Sequence, residues 1–372
     1  MPDNKRILIT GNNGYIGSVM APWLQDQGFD VVGLDTGYFS ACTLVPDLAD
    51  IPTIREDLRE VTAKELAGFD AVIHLAALSN DPIGNLNEAW TREINSQGTI
   101  RLAKLAKLAG IPRFIFSSSC IMYGTSEAAV VDENAPLAPR TEYARSKVEA
   151  EMALRALADD RFSPTFCRNG TVYGLSPRMR FDTVLNDFMG NAFTTGRIVI
   201  QSDGTPWRPV VHVRDVARAF QAVLEAPLET VHNEAFNVGA NELNHQIRDL
   251  GQIAAETVPG CELASVPQPG ADQRTYKADF SKFKRTFPGF SFRWTAKDGA
   301  KELYTAFQRI SLKHGVFTDK RFTRLSWMRH LLDSGSIDES LRWTEVRANL
   351  SRGRACVSTG EKGERHEKSI DA

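Results

Sequence analysis

Short apolar runs and longer amphipathic stretches alternate along the first 170 residues. The runs at 6–10, 31–35, 71–75, 114–117 and 165–167 are dominated by Ile, Val, Leu, Phe and Ala and are too short for helices. Runs of this kind read as strands, and their apolar continuity suits strands buried on both faces of a parallel sheet. Between them apolar positions recur at helical spacing, over 16–27, over 93–109 (Ile94, Ile100, Leu102, Leu105, Leu108) and over 143–158 (Val148, Met152, Ala156, Leu157). Strand and helix in alternation predict an α/β fold, a Rossmann doubly wound parallel sheet with crossover helices.

Beyond Gly170 the regularity weakens. A loop is expected at 175–181, a polar turn at 202–209, a helix at 213–225 and another at 322–332, where Phe322, Leu325, Met328 and Leu332 share a helical face. The expected division is a cofactor-type domain at 1–174, rejoined by about 205–240, and a smaller mixed α/β lobe from 175–204 and 241–345. From Arg347 the composition turns charged and nearly devoid of apolar residues, so 346–372 is expected to be a disordered tail.

Composition narrows the class. A chain of 372 residues with 42% apolar content can bury a sizeable core, and its length predicts two domains. With 44 Lys plus Arg against 46 Asp plus Glu, the formal charge is −2. That balance lacks the basic excess of a nucleic-acid binder, so a small-molecule partner is expected. The five cysteines (42, 120, 167, 261, 356) contain no CxxC pair and no zinc spacing, so neither disulfides nor a structural metal is expected. The apolar run at 7–9 is too short for a signal peptide, and no run approaches the 18 residues of a membrane span. A cytoplasmic location without membrane attachment is the expectation.

Directly after the first strand stands Thr10-Gly11-Asn12-Asn13-Gly14-Tyr15-Ile16-Gly17, followed by a helix. Glycines there let the backbone approach a pyrophosphate, whose charge then faces the free N–H groups of the helix. Gly11, Asn13, Gly14, Tyr15, Ile16 and Gly17 are therefore candidate cofactor residues. Asp35, eighteen residues after Gly17, ends the second strand, where a carboxylate can accept from ribose hydroxyls. No Lys or Arg occurs between Asp35 and Ile54 to neutralise a 2′-phosphate, so NAD is favoured over NADP. Asp57 and Leu58 are placed to cover the adenine, and Leu75, Ala76 and Ala77 are small enough to let a dinucleotide lie close. His74 reads as a core histidine rather than a ligand.

Tyr143 and Lys147 lie four residues apart on one helix face, and three serines, 117–119, end the fourth of the strand runs. Hydride chemistry at a secondary alcohol needs a base, a group that lowers the pKa of that base, and a donor that holds the oxygen. A tyrosine, a lysine and a serine can fill those roles, since a nearby ammonium favours phenolate.

Together, TGNNGYIG, SSSCIMYG and YARSK make the chain resemble an extended short-chain dehydrogenase/reductase of the NAD-dependent epimerase/dehydratase family, from about Arg6 to Ala306. The resemblance implies NAD as cofactor, Ser119 as the catalytic hydroxyl, Tyr143 as base, and Lys147 as ribose anchor and pKa depressor. Asn95 joins the cofactor set. Dehydratases of the family carry an Asp-Glu pair after that hydroxyl, and the related decarboxylases keep the Glu. Here the pair is Cys120 and Ile121, which disfavours both reactions.

For the substrate, a nucleotide-diphosphate sugar, the resemblance implies Ser79, Ser119, Thr171 (where many epimerases have Asn), Asn186, Arg208, Asp272 and Arg274. Arg178 and Arg180 complete a set of four arginines expected to face one diphosphate. The implied activity is a nucleotide-sugar epimerase working through a transient keto intermediate. A reductase of a 4-keto nucleotide sugar is the alternative, ahead of a 4,6-dehydratase or a non-catalytic NAD-binding protein. The resemblance also implies a homodimer, formed through the helices at 93–109 and 143–158.

Overall fold

The computed structural model describes residues 5–46, 48–79, 81–124, 130–266 and 274–344. Asp272 and the expected tail at 346–372 lie outside them. Seven strands form one sheet in the order β10-β6-β5-β4-β1-β2-β3, and every pairing in it is parallel. They are β1 (Arg6–Thr10), β2 (Asp30–Leu34), β3 (Thr53–Ile54), β4 (Ala71–His74), β5 (Arg113–Ser119), β6 (Ser163–Asn169) and β10 (Ala235–Val238). The order reverses between β1 and β4, the switch point at which open α/β sheets bind ligands beyond the strand ends. Apolar continuity has the expected cause: β4 and β6 are buried along their whole length.

β5 and β6 run on past their apolar centres into the polar ends Ser117–Ser119 and Arg168–Asn169, in register Ser119 with Asn169. This carries hydroxyl and amide side chains to the mouth of the switch point. The helix expected at 93–109 begins as a wider π turn, Arg92–Gly98, before becoming regular over Thr99–Leu108. His74 is a core residue, as read. Its ring spans from Thr10 Oγ1 (2.6 Å) to Thr99 Oγ1 (2.8 Å), and burial pushes its pKa down to about 3.

A three-stranded sheet, β11-β9-β7, is built from Thr171–Tyr173 (β7), Trp207–His212 (β9) and Asn244–Gln246 (β11). β9 begins inside the stretch expected to be a polar turn. Pro209 sits where β9 passes from its antiparallel partner β11 to its parallel partner β7. β8 (Arg197–Ile200) and β12 (Glu262–Ser265) form a third, two-stranded sheet. The helix Val184–Thr195 was not anticipated, whereas Val213–Glu225 and Arg324–Asp333 fall close to their expected positions.

One apolar cluster packs the large sheet on the helices Gly17–Asp26 and Val213–Glu225 through Ile7, Ile9, Met20, Leu24, Val216 and Phe220. A second gathers Met179, Leu185, Phe307 and Phe317 around Phe181, whose ring lies edge-on to Phe317 at 4.9 Å. Residues 328–344 belong to a separate small unit, in which Ile337 pairs with Trp343 across an antiparallel bridge. No helix among the described residues is long and apolar enough to cross a membrane.

Candidate active site

A cavity of about 590 Å³ opens at the switch point, and the glycine turn forms its floor. Gly11 has φ +75°, and a Cβ on it would stand 2.8 Å from the backbone nitrogen of Ala76. A Cβ on Gly17 would stand 2.2 Å from the carbonyl oxygen of Gly11, so only glycine lets the helix start this close to β1. Gly11, Gly14, Tyr15, Ile16 and Gly17 all line the cavity, with Leu75, Ala76 and Ala77 opposite them.

Asp35 lines the cavity while its carboxylate accepts from the backbone N–H of Gly37 (2.6 Å) and of Asn13 (3.0 Å). It thereby ties the glycine turn to the end of β2, and burial raises its pKa. Asn13 contributes through that N–H and is not itself part of the lining. The fold brings the charges of Arg55 and Arg178 near Asp35, cations that the stretch 36–54 does not contain. Asp57 and Leu58 line the cavity, with Asp57 gripped by Arg59 at 2.6 Å. Asn95 lies behind the wall. Its amide accepts from the N–H of Leu78 (2.8 Å) and donates to the carbonyl of Leu78 (3.0 Å), so it shapes the segment after β4 from outside the cavity.

Tyr143 and Ser119 line the cavity from two elements. Ser119 ends β5, where its Oγ accepts from the N–H of Ile121. Tyr143 belongs to the first turn of the helix Glu142–Arg155, capped by Thr141 Oγ1 at the N–H of Ala144. Lys147 is buried one turn further on. Its Nζ stands 5.8 Å from the centre of the Tyr143 ring and 4.6 Å from that of Phe116, and it donates to the carbonyl of Ser117 at 2.8 Å. Burial pushes its pKa down to about 7. Ile121 presents an apolar side chain to the cavity. Cys120 points away, its thiol donating to the carbonyl of Arg168 at 3.1 Å and pushed up in pKa by burial.

On the far side Ser79, Thr171, Arg180, Arg208 and Arg274 join the lining. Arg180 donates to Asp182 (2.6 Å) and to Ser79 Oγ (3.3 Å), and Arg208 donates to the backbone carbonyl of Arg274. Two expected substrate residues are placed elsewhere. Arg178 turns back to donate to the carbonyl of Ser40 (2.5 Å) and to Thr43 Oγ1, bracing the loop behind Asp35. Asn186 is fully buried, accepting from the N–H of Gly174 and donating to the Tyr15 hydroxyl and the carbonyl of Arg180. It lies on the inner face of the unanticipated helix, so its amide supports the wall rather than facing the cavity.

The lining also holds residues not anticipated from the sequence: Phe39, Asn169, Asp182, Tyr276 and the trio Thr323–Leu325. Asp182 had a signal, its position two residues after Arg180. The trio had none, because only the tertiary fold carries it to the glycine turn.

The model of the NAD dependent epimerase/dehydratase family matches residues 7–239. The chain is 29% identical to the UDP-glucose 4-epimerase of Bacillus subtilis, over 80% of this chain and 94% of that protein. It is equally 29% identical to the dTDP-glucose 4,6-dehydratase of Streptomyces niveus, over 80% and 91%. Among solved structures it is similar to TunA, an NAD-dependent NDP-hexosamine 5,6-dehydratase, with TM-score 0.73 and 25% identity over 82% of this chain and 98% of that one. It is also similar to MoeE5, solved with UDP-glucuronic acid and NAD, with TM-score 0.71 and 27% identity over 82% and 100%. NAD is the cofactor, and the residues present suit it: a glycine cradle that a single Cβ would fill, beside a carboxylate at the end of β2. The chain belongs to the NAD dependent epimerase/dehydratase family.

Proposed function

We propose that the chain is an NAD-dependent nucleotide-sugar epimerase. The observation that carries this reading is the pairing of Tyr143 and Ser119 in one cavity with the apolar Ile121, while the neighbouring Cys120 thiol is buried out of reach. A dehydratase needs a proton donor for the departing hydroxyl, and neither side chain after Ser119 supplies one.

The glycine turn, Asp35, Asp57 and Leu58 would hold the cofactor, with Tyr143 and Lys147 at its reactive end. NAD, when bound, supplies the hydride acceptor and donor. Tyr143, as phenolate, would take the proton of the sugar hydroxyl while Ser119 holds that oxygen by a hydrogen bond. With the carbinol hydride taken up by NAD and then given back to the opposite face of the turned keto-sugar, Tyr143 would return the proton to the same oxygen. Substrate and product are therefore at one oxidation level. The positive charge of Lys147 favours the phenolate form of Tyr143. Arg208 and Arg274 suit the substrate diphosphate, which a guanidinium fork can bind through two parallel hydrogen bonds. The protein is expected to work as a homodimer through the helices Thr99–Leu108 and Glu142–Arg155.

The test is incubation of the purified protein with a panel of nucleotide sugars and no added cofactor, followed by chromatography of the sugars. Epimer formation with no net change at 340 nm is expected. Stoichiometric consumption of added NADH would instead identify a reductase, and a 4-keto-6-deoxy product would identify a dehydratase.

A further inference from the structure

Thr323, Arg324 and Leu325 line the same cavity as the glycine turn, although they follow residue 239, where the family match ends, by more than 80 positions. Their placement is built from several independent contacts. Phe322 is buried against Phe181, and Trp327 Nε1 donates to the carbonyl of Tyr38 at 2.7 Å. Asp182 accepts from the backbone N–H of Arg324 at 3.2 Å. Arg324 Nη2 donates to the carbonyl of Arg178 at 2.9 Å, and its guanidinium lies 4.3 Å from the centre of the Phe39 ring.

One group of this arginine is unsatisfied. Arg324 is 2% exposed, and its buried Nη1 has no hydrogen-bond partner among the described residues. Asp182, whose charge acts on Arg324, is already engaged by Arg180 Nε at 2.6 Å. Two guanidiniums thus share one carboxylate, in a place where desolvation pushes Arg324 down to about 10. A cation so placed is costly unless an anion completes it. A diphosphate matches a guanidinium in charge and geometry. Arg324 also opens the helix Arg324–Asp333, whose N-terminal end carries partial positive charge.

Two diphosphates could enter this cavity, one from the cofactor and one from a nucleotide sugar. The neighbours of Arg324 favour the cofactor. Phe39 belongs to the segment that follows Asp35, Tyr15 of the glycine turn lies within the fields of both Arg180 and Arg324, and Arg180 reaches Ser79, just beyond the small residues after β4. We infer that residues 319–327 form a clamp on the cofactor cleft, in which Arg324, supported by Arg180, pairs with the diphosphate of NAD and retards its release. The inference rests on the family's cofactor and not on which sugar reaction follows.

The experiment compares the full chain with Arg324→Gln and Arg324→Lys. It measures NAD retained through purification, NAD dissociation by exchange against excess labelled NAD, and UDP binding to the NAD-loaded protein by calorimetry, with thermal melts as the folding control. Loss of a charged hydrogen-bond donor is expected to weaken NAD about 10–100-fold in Arg324→Gln. Arg324→Lys, which keeps the charge and most of the aliphatic stem, is expected to fall between the two and provides the reading if Arg324→Gln does not fold. UDP affinity should change little. Unchanged NAD content and exchange rate in both variants would overturn the proposal, and so would a loss confined to UDP, which would assign the cation to the nucleotide sugar. None of these readouts requires turnover, so they stay informative if the epimerase reading fails.

Discussion

Tyr143 and Lys147 differ in what surrounds them, and their roles should separate experimentally. Tyr143 reaches the cavity, so Tyr143→Phe removes the proposed base without touching the glycine cradle. Turnover of the epimerised sugar is expected to fall by roughly 10²–10⁴-fold, with NAD content of the purified protein unchanged. Retained activity would remove Tyr143 from the mechanism. Lys147 is buried, and its pKa in the folded chain lies at about 7, below the ordinary 10.5. Between these values the unfolded chain binds more protons than the folded one, so stability rises with pH across that window. Below about pH 7 the burial penalty is present in full. Urea unfolding of the cofactor-free protein from pH 6.5 to 10 should show this rise, and Lys147→Met should flatten it. Identical pH slopes in the two proteins would mean that Lys147 titrates normally.

At the scale of elements, the turn from β1 into its helix is the most constrained point of the site. A methyl group on Gly17 meets main-chain atoms, the Gly11 carbonyl at 2.2 Å and Asn12 Cα at 2.6 Å, neither of which can swing aside as a side chain would. Gly17→Ala is expected to destabilise the fold by about 1–3 kcal/mol and to weaken NAD binding at least tenfold, measured by melts and by cofactor titration. This turn, and the strands β1, β2 and β4 around it, were legible in the sequence because doubly buried strands are continuously apolar and close backbone approach demands glycine. β7, β9 and β11 were not legible. They are short, carry polar residues such as Arg208 and Asn244, and exist through pairings between segments far apart in the chain. The same limit explains Arg178 and Asn186: a loop cation and a residue implied by the resemblance were expected at the substrate diphosphate, but packing turned Arg178 onto the 40–43 loop and Asn186 into the wall. Ser119 and Tyr143 reach one cavity because each sits at the end of an element whose course the pattern already indicated, whereas Arg180 and Arg208 reach it from a loop and from the unread strand β9.

At the scale of the molecule, the helices Thr99–Leu108 and Glu142–Arg155 each keep a large apolar side chain in solvent. Leu108 is 76% exposed and Met152 67%, while Leu102 and Ala106 of the first helix and Ala144, Ala150 and Leu154 of the second are buried within the chain. Single exposed apolar residues are common, but two on adjoining helices mark a surface suited to association. A second copy supplies the same two helices, so a two-fold axis would bring like faces together as a four-helix bundle. Such a contact must bury roughly 800 Å² from each chain to be stable, more than two side chains provide, so the rest of both helix faces has to take part. The double variant Leu108→Asp with Met152→Asp places four carboxylates on the contact of a symmetric pair, and light scattering coupled to size exclusion should show it as a monomer where the parent is a dimer. NAD content should survive, since neither position lines the cavity. A parent protein that is monomeric at all concentrations would remove the dimer, and a dimer that persists in the double variant would move its interface to another face.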